Sequence, residues 1–177
     1  TTRTSRYNTD TTLFEMMIMD TGKQVRVQTS FNARASLHDT LAYYMGHTPE
    51  FYAKTNPKDR PITILEREND HSVILKVDIP MPYPLKARYV GGKVIWKRIA
   101  DGTIVIVQSD CIHPGLPSTK ANKVRMSVIR TIILRQISPN LVNVTMVGSI
   151  HLGGSFPASI NNVITIPLAL STPPAVM

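Results

Sequence analysis

The sequence is short of three things, and each shortage excludes something. It has a single cysteine, Cys111, among 177 residues. No internal disulfide can therefore staple the fold, and a reducing compartment is the natural setting. No apolar run approaches the roughly 20 residues that a helix needs to span a bilayer, and no amino-terminal signal segment is visible. Aromatic residues make up only 6%. Modules that bind single-stranded nucleic acid interleave basic residues with aromatic rings for base stacking. No nucleic-acid partner is therefore expected, despite a formal net charge of +8. Basic residues gather locally at Lys86, Arg88, Lys93, Lys97 and Arg98, and again at Lys120, Lys123 and Arg125. They read as a solvated surface or as a patch facing an anionic membrane.

What is present suffices for an ordinary core. Apolar residues are 42% of the chain, which excludes a disordered polymer, and the length suits one domain over residues 1–177. The sequence opens on Thr1 rather than Met, so it is read as a domain that can be an excerpt of a longer protein with further domains. Residues 1–20 and 171–177 have no clear place in the pattern.

The rest divides by period. In Gln24–Phe31, Val25, Val27, Thr29 and Phe31 alternate with Gln24, Arg26, Gln28 and Ser30, which predicts a half-buried strand. Ser36 followed by Asp39 is close to a capping box, and Leu37, Leu41, Tyr44 and Met45 recur at helical spacing up to Gly46. After a Pro-interrupted loop come three hairpins: Ile62–Arg67 with Ser72–Ile79, Lys93–Ile99 with Thr103–Ser109 across Asp101–Gly102, and Val124–Leu134 with Leu141–His151 across Pro139–Asn140. In the last strand Val142, Val144, Met146 and Ile150 oppose Asn143, Thr145, Ser149 and His151, so one face of the sheet is wet and the other dry. Ser155 and Pro157 open a closing helix carrying Phe156, Ile160, Val163 and Ile164, which Pro167 ends or kinks. The expected class is α+β: a strongly curved antiparallel sheet wrapped around a C-terminal helix, with a pocket where the helix does not fill the concave face.

Several blocks, taken in order, resemble the START family, the steroidogenic-acute-regulatory-related lipid-transfer domains. They are Pro82-Tyr83-Pro84 leading to Arg88, Trp96-Lys97-Arg98, Asp101-Gly102 with its following strand, His113-Pro114 through Val124-Arg125, Asn143-Val144-Thr145, and Gly154-Ser155-Phe156-Pro157 with Asn161. The likeness runs from about Ile79 to Val163 and is weaker before it. It implies a helix-grip fold, an internal cavity, and binding of a sterol, phospholipid or sphingolipid for transfer or sensing. No cofactor and no catalysis are implied. A ligand-regulated or residual interaction domain of the same fold is the alternative. The expected location is cytoplasmic, with peripheral and transient contact to an anionic membrane.

Three departures from the family stand out. Its long amino-terminal helix is missing or lies outside this sequence, and the closing helix meets Pro167 early. The buried acid–arginine pair of several members has as its best match Asp78 with Arg88 or Lys93.

The resemblance makes His113–Lys120 a lid over the cavity mouth, with His113, Leu116 and Pro117 in it; otherwise it is a long connection between strands. The 113–122 loop and the 155–166 helix would form the gate, with Pro167 as hinge. Met81, Tyr83, Tyr89, Trp96, Met126, Phe156 and Ile160 are candidate lining residues, or plain core. Strict alternation sets Arg130 on the face of Met126, Ile132 and Leu134, and Arg125 opposite. A charge on an apolar face would need a purpose, such as holding a lipid head group. The simpler reading is a bulge that turns the strand and leaves both arginines outside. The five histidines show no ligand spacing, so no metal is expected. Cys111 and His113 lack a third, orienting group.

Overall fold

The computed structural model describes residues 2–9, 12–20, 25–46, 62–81, 83, 85–117 and 123–154, the first two stretches by their backbone. Among the described residues nine strands and one helix follow in the order β1 (Thr2–Thr9), β2 (Thr12–Asp20), β3 (Val25–Ala33), α1 (Leu37–Met45), β4 (Ile62–Asn69), β5 (Ser72–Ile79), β6 (Arg88–Arg98), β7 (Ile104–Asp110), β8 (Val124–Ser138) and β9 (Leu141–His151). They form one sheet in the order β1-β2-β3-β9-β8-β7-β6-β5-β4. Every neighbouring pair is antiparallel. Beyond the end of β7, the first residues of β6 run parallel to β8, from Arg88 opposite Val124 to Val90 opposite Met126. The sheet does not close into a barrel.

The three hairpins and the Val25–Phe31 strand stand where the alternation places them, as does the helix. Ser36 caps α1 by accepting the Asp39 amide at 3.1 Å, and its hydroxyl donates to Asp39 Oδ2 at 2.6 Å. The Gly46 amide closes the other end on the Ala42 carbonyl. Two elements run longer than the alternation predicts. β6 begins at Arg88 rather than Lys93, because Gly91 and Gly92, weak strand formers alone, are held in the ladder opposite Lys76 and Leu75. β8 extends to Ser138. The Thr- and Met-rich opening, left unplaced by its pattern, is the β1–β2 hairpin, so two strands precede β3. The closing helix and its Pro167 lie outside the described residues.

One face of the sheet carries the core. Phe31, Leu75, Val94, Ile104, Ile106, Leu134, Val142 and Val144 bury there against Leu37, Tyr44 and Met45 of α1. Ile79, Val90, Met126 and Leu152 form a second cluster at the other end of that same inner face. Burying each such side chain contributes about 1.5–3 kcal/mol, so the face, not strand propensity, sets the register. The outer face is polar along β3 and β9, where Asn143 Nδ2 donates to Asn32 Oδ1 at 3.0 Å and Ser30 pairs with Thr145 at 3.3 Å. Among the described residues no helix is long and apolar enough to cross a membrane.

Candidate functional site

A single register row crosses six strands of the inner face: Val27, Gly148, Arg130, Gln108, Val94 and Val73 stand opposite one another in turn. Two apolar clusters flank it, so Arg130 and Gln108 form a polar waist between them. The β8–β9 ladder is unbroken from Ser127 to Gln136, and its one shift comes after Gln136. No bulge therefore turns the strand between the two arginines. Arg130 stays in phase with Met126, Ile132 and Leu134, and the expectation that both arginines lie outside is overturned for Arg130.

Beside Arg130 lies a cavity of about 40 Å³ lined by Val27, Val128, Arg130, Met146, Gly148 and Ile150, with Ile129 and Ser149 completing the wall. Gly148 carries no side chain in this row, and Arg130 packs close against it, where a Cβ would lie 3.0 Å from Arg130 Cβ. Three further polar groups reach this face. Gln108 is 6% exposed, Thr29 is fully buried, and the Tyr44 hydroxyl comes from α1. Among the described residues neither the Thr29 nor the Tyr44 hydroxyl has a hydrogen-bond partner. Burial pushes the Tyr44 phenol well above its ordinary value, and the nearby Arg130 charge opposes that rise. None of Thr29, Gln108 and Gly148 was singled out from sequence as a site residue. Thr29 and Gln108 are detectable only as polar residues continuing an apolar phase.

The candidate residues divide between the two faces. Met126 is buried and Met81 half-buried in the second inner cluster, close in the fold to Arg130. Tyr89, His113, Leu116, Pro117 and Arg125 instead meet on the outer face. The Tyr89 hydroxyl donates to the Pro117 carbonyl at 3.2 Å, and Arg125 donates to the Cys111 carbonyl at 2.6 Å. His113 Nε2 lies 3.2 Å from Glu66, its Nδ1 accepts the Gly115 amide at 3.0 Å, and Leu116 covers Gly91 so closely that a Cβ there would lie 2.4 Å away. The described part of the 113–120 loop is thus folded down on the outer side of β4–β6. Trp96 sits at the opposite end of the sheet, stacked on His71 and donating to the Asp70 carbonyl at 3.0 Å. Tyr83 is 97% exposed and lines nothing. Phe156 and Ile160 lie outside the described residues.

The expected Asp78 pairing is also corrected. Asp78 bonds Lys76 and Lys123, each at 2.9 Å. Lys93 pairs with Glu68 at 2.6 Å. Arg88, although buried, donates to the carbonyls of Leu152 and Lys86. Alternation is the reason: Asp78 stands opposite Tyr89 on the outer face, whereas Arg88 turns toward the inner edge. Among the described residues no three His, Cys, Asp or Glu side chains cluster.

No protein-family model and no curated protein matches the chain. Solved structures do match its fold. A STAR-related lipid transfer protein from Xanthomonas axonopodis aligns with TM-score 0.73 and 17% identity over 97% of this chain and 93% of its own. Human STARD10 gives 0.72 and 16% over 96% and 69%. The human StarD13 lipid transfer and protein localization domain gives 0.70 and 15% over 97% and 85%. Identities this low speak to architecture alone. An antiparallel sheet with its core on one face, one helix laid on that face and agreement across nearly the whole length lead to one conclusion: this chain has the START helix-grip fold.

Proposed function

We propose that the inner face of the sheet receives one lipid or similar apolar molecule, for transfer between membranes or for sensing at them, without catalysis. The observation that carries this reading is the apolar cavity wall of Val27, Val128, Met146 and Ile150, set between two apolar clusters of the same face. The likeness in fold to proteins named for lipid transfer supports it. The driving force is simple. Each methylene of a lipid tail costs about 0.8 kcal/mol to hydrate, so a carrier competes with a bilayer only through an interior nearly as apolar. A net charge of +8 favours transient contact with an anionic membrane from the cytoplasmic side.

A second reading has one observation in its favour. A cavity of about 40 Å³ holds roughly three waters, far less than a lipid. That suits an interaction or regulatory domain whose interior stays filled. One experiment separates the two: mass spectrometry of lipids extracted from the purified chain, followed by vesicle-to-vesicle transfer of labelled sterol, phosphatidylcholine and ceramide. Stoichiometric lipid and accelerated transfer support the carrier. Lipid-free protein with transfer at the background rate rejects it in favour of the interaction domain.

A further inference from the structure

Toward the middle of the sheet the outer face stops being polar. The phase opposite to Val94, Ile106, Ile132 and Met146 sets Ile95, Val107, Thr131 and Val147 opposite one another in one row across β6, β7, β8 and β9. Val105 and Ile133 continue the strip in the next row, and Ile129 extends it along β8. Ile95 is 44% exposed, Val147 45% and Ile129 49%, so a continuous aliphatic surface meets water. Such surfaces mark interaction sites more often than they stand idle. The charges around the strip have one sign. In the outer phase of β3 and of β6 to β9 stand Arg26, Lys93, Lys97, Arg125 and Arg135, with no aspartate or glutamate. Lys93 is taken up by Glu68 and Arg125 by the Cys111 carbonyl. The Arg135 charge acts on Asp101 in the turn before β7. Arg26, opposite Ser149, and Lys97, opposite Val105, are exposed at the two borders of the strip.

We propose that this strip docks an acidic amphipathic helix of a partner protein, with the helix's apolar side on Ile95, Val107, Ile133 and Val147 and its carboxylates toward Arg26 and Lys97. Size argues for one helix. Three inter-strand steps span about 14 Å, and Ile129 to Arg135 along β8 spans about 20 Å, which suits a cylinder about 10–12 Å across. The resulting area of about 280 Å² is far below the roughly 800 Å² that each partner of a stable interface buries. A second copy seated here would be held weakly and would also bring two basic rims together. A bilayer is the poorer match as well, since interfacial anchoring favours aromatic rings and apolar groups that insert several ångströms. The strip holds no aromatic residue, and its aliphatic side chains stand half covered by their neighbours. Being on the side of the sheet away from the core, this surface is independent of whether the inner face takes a lipid.

The test is fluorescence anisotropy of two labelled helical peptides of about 14 residues added to the full chain at low salt. Both carry the same leucine face, flanked by glutamates in one and by lysines in the other. The glutamate peptide is expected to bind about tenfold more tightly than the lysine peptide. Val147→Glu, at an exposed side chain outside the core, should abolish binding at an unchanged melting temperature. Ile95→Glu, on the far strand of the strip, is the second variant and should act alike. Arg26→Glu combined with Lys97→Glu should invert the preference between the peptides. Lipid transfer by Val147→Glu should equal that of the unaltered chain, so failure here leaves the reading of the inner face untouched. Equal affinity for the two peptides, or binding that survives both Val147→Glu and Ile95→Glu, overturns the proposal, as does binding of neither peptide. Vesicles of phosphatidylcholine and phosphatidylserine that bind the unaltered chain and not Val147→Glu would give the strip to a membrane instead. A dimer in sedimentation that Val147→Glu dissolves would give it to a second copy, and either result also overturns the helix site.

Discussion

Gly148 faces Arg130 across the β8–β9 ladder, and a Cβ added at position 148 would lie 3.0 Å from Arg130 Cβ and 3.0 Å from the Ile129 carbonyl oxygen. The side chain can shift slightly, but the carbonyl belongs to the ladder and cannot. Gly148→Ala should therefore destabilise by about 1 kcal/mol, the overpacking loss exceeding the gain from replacing glycine in a strand. Urea unfolding gives the measurement, and an unchanged or higher midpoint would contradict it.

Gly153 sets a stricter limit. It lies at φ +67°, and a Cβ there would stand 2.0 Å from the Arg125 carbonyl oxygen. Left-handed backbone costs an L-residue about 1–2 kcal/mol before any clash. Gly153→Ala should cost more than Gly148→Ala and detach the end of β9 from the start of β8. Faster amide exchange at Ser127, which stands opposite His151 on the β9 side, would report that detachment. Unchanged protection there would count against it.

Tyr44→Phe should leave the fold as stable as before or raise it by about 1 kcal/mol, since the lost hydroxyl is buried with no partner among the described residues. The pH dependence has a definite sign. Burial raises the phenol above its ordinary value in the folded state, so folding holds a proton that the unfolded chain releases above a pH of about 10. That stability is fully present below this pH and is lost as pH rises further. The alkaline limb of a melting-temperature profile should be shallower in Tyr44→Phe than in the unaltered chain. Identical limbs would refute the assignment.

Asp78 acts at the other end of the scale. Burial by itself would raise its carboxyl, but hydrogen bonds from Lys123 and Lys76 outweigh this and hold it below the usual carboxylate range. The pair therefore contributes above the unfolded carboxyl's pKa of about 3.9 and fades as pH falls through the lower folded value. Asp78→Asn should cost about 1 kcal/mol at neutral pH, partly by leaving two lysines facing each other. In acid the variant and the unaltered chain should converge. A difference that stays constant down to low pH would speak against the ion pairs as its source.

Much of the fold was legible because it depends on local rules. Alternation along β3 and β9, the Ser36–Asp39 cap and the Asp101–Gly102 turn are each written within a few residues, and the structure keeps them. The β1–β2 hairpin was not legible, since Thr- and Met-rich segments carry little contrast between faces. The candidate site was read less well. Tyr89 and Arg125 are one residue out of phase with Val90 and Met126, and so belong to the outer face. Tyr83 precedes the strand altogether. The loop residues His113, Leu116 and Pro117 follow no period, and only Glu66, Gly91 and Tyr89, distant in sequence, determine where they rest.

The amino-acid order alone determined which residues alternate, where the helix starts, and that Arg130 shares the phase of Met126, Ile132 and Leu134. Phase is a property of one strand, and a bulge anywhere along β8 would have reversed it. The tertiary structure decided that no such bulge occurs between the arginines, that Gly148 rather than a bulky residue faces Arg130, and that the hydroxyls of Thr29 and Tyr44 come to the same face. The physical reason is that each of these depends on register between strands, and burial of the whole inner face selects that register at once.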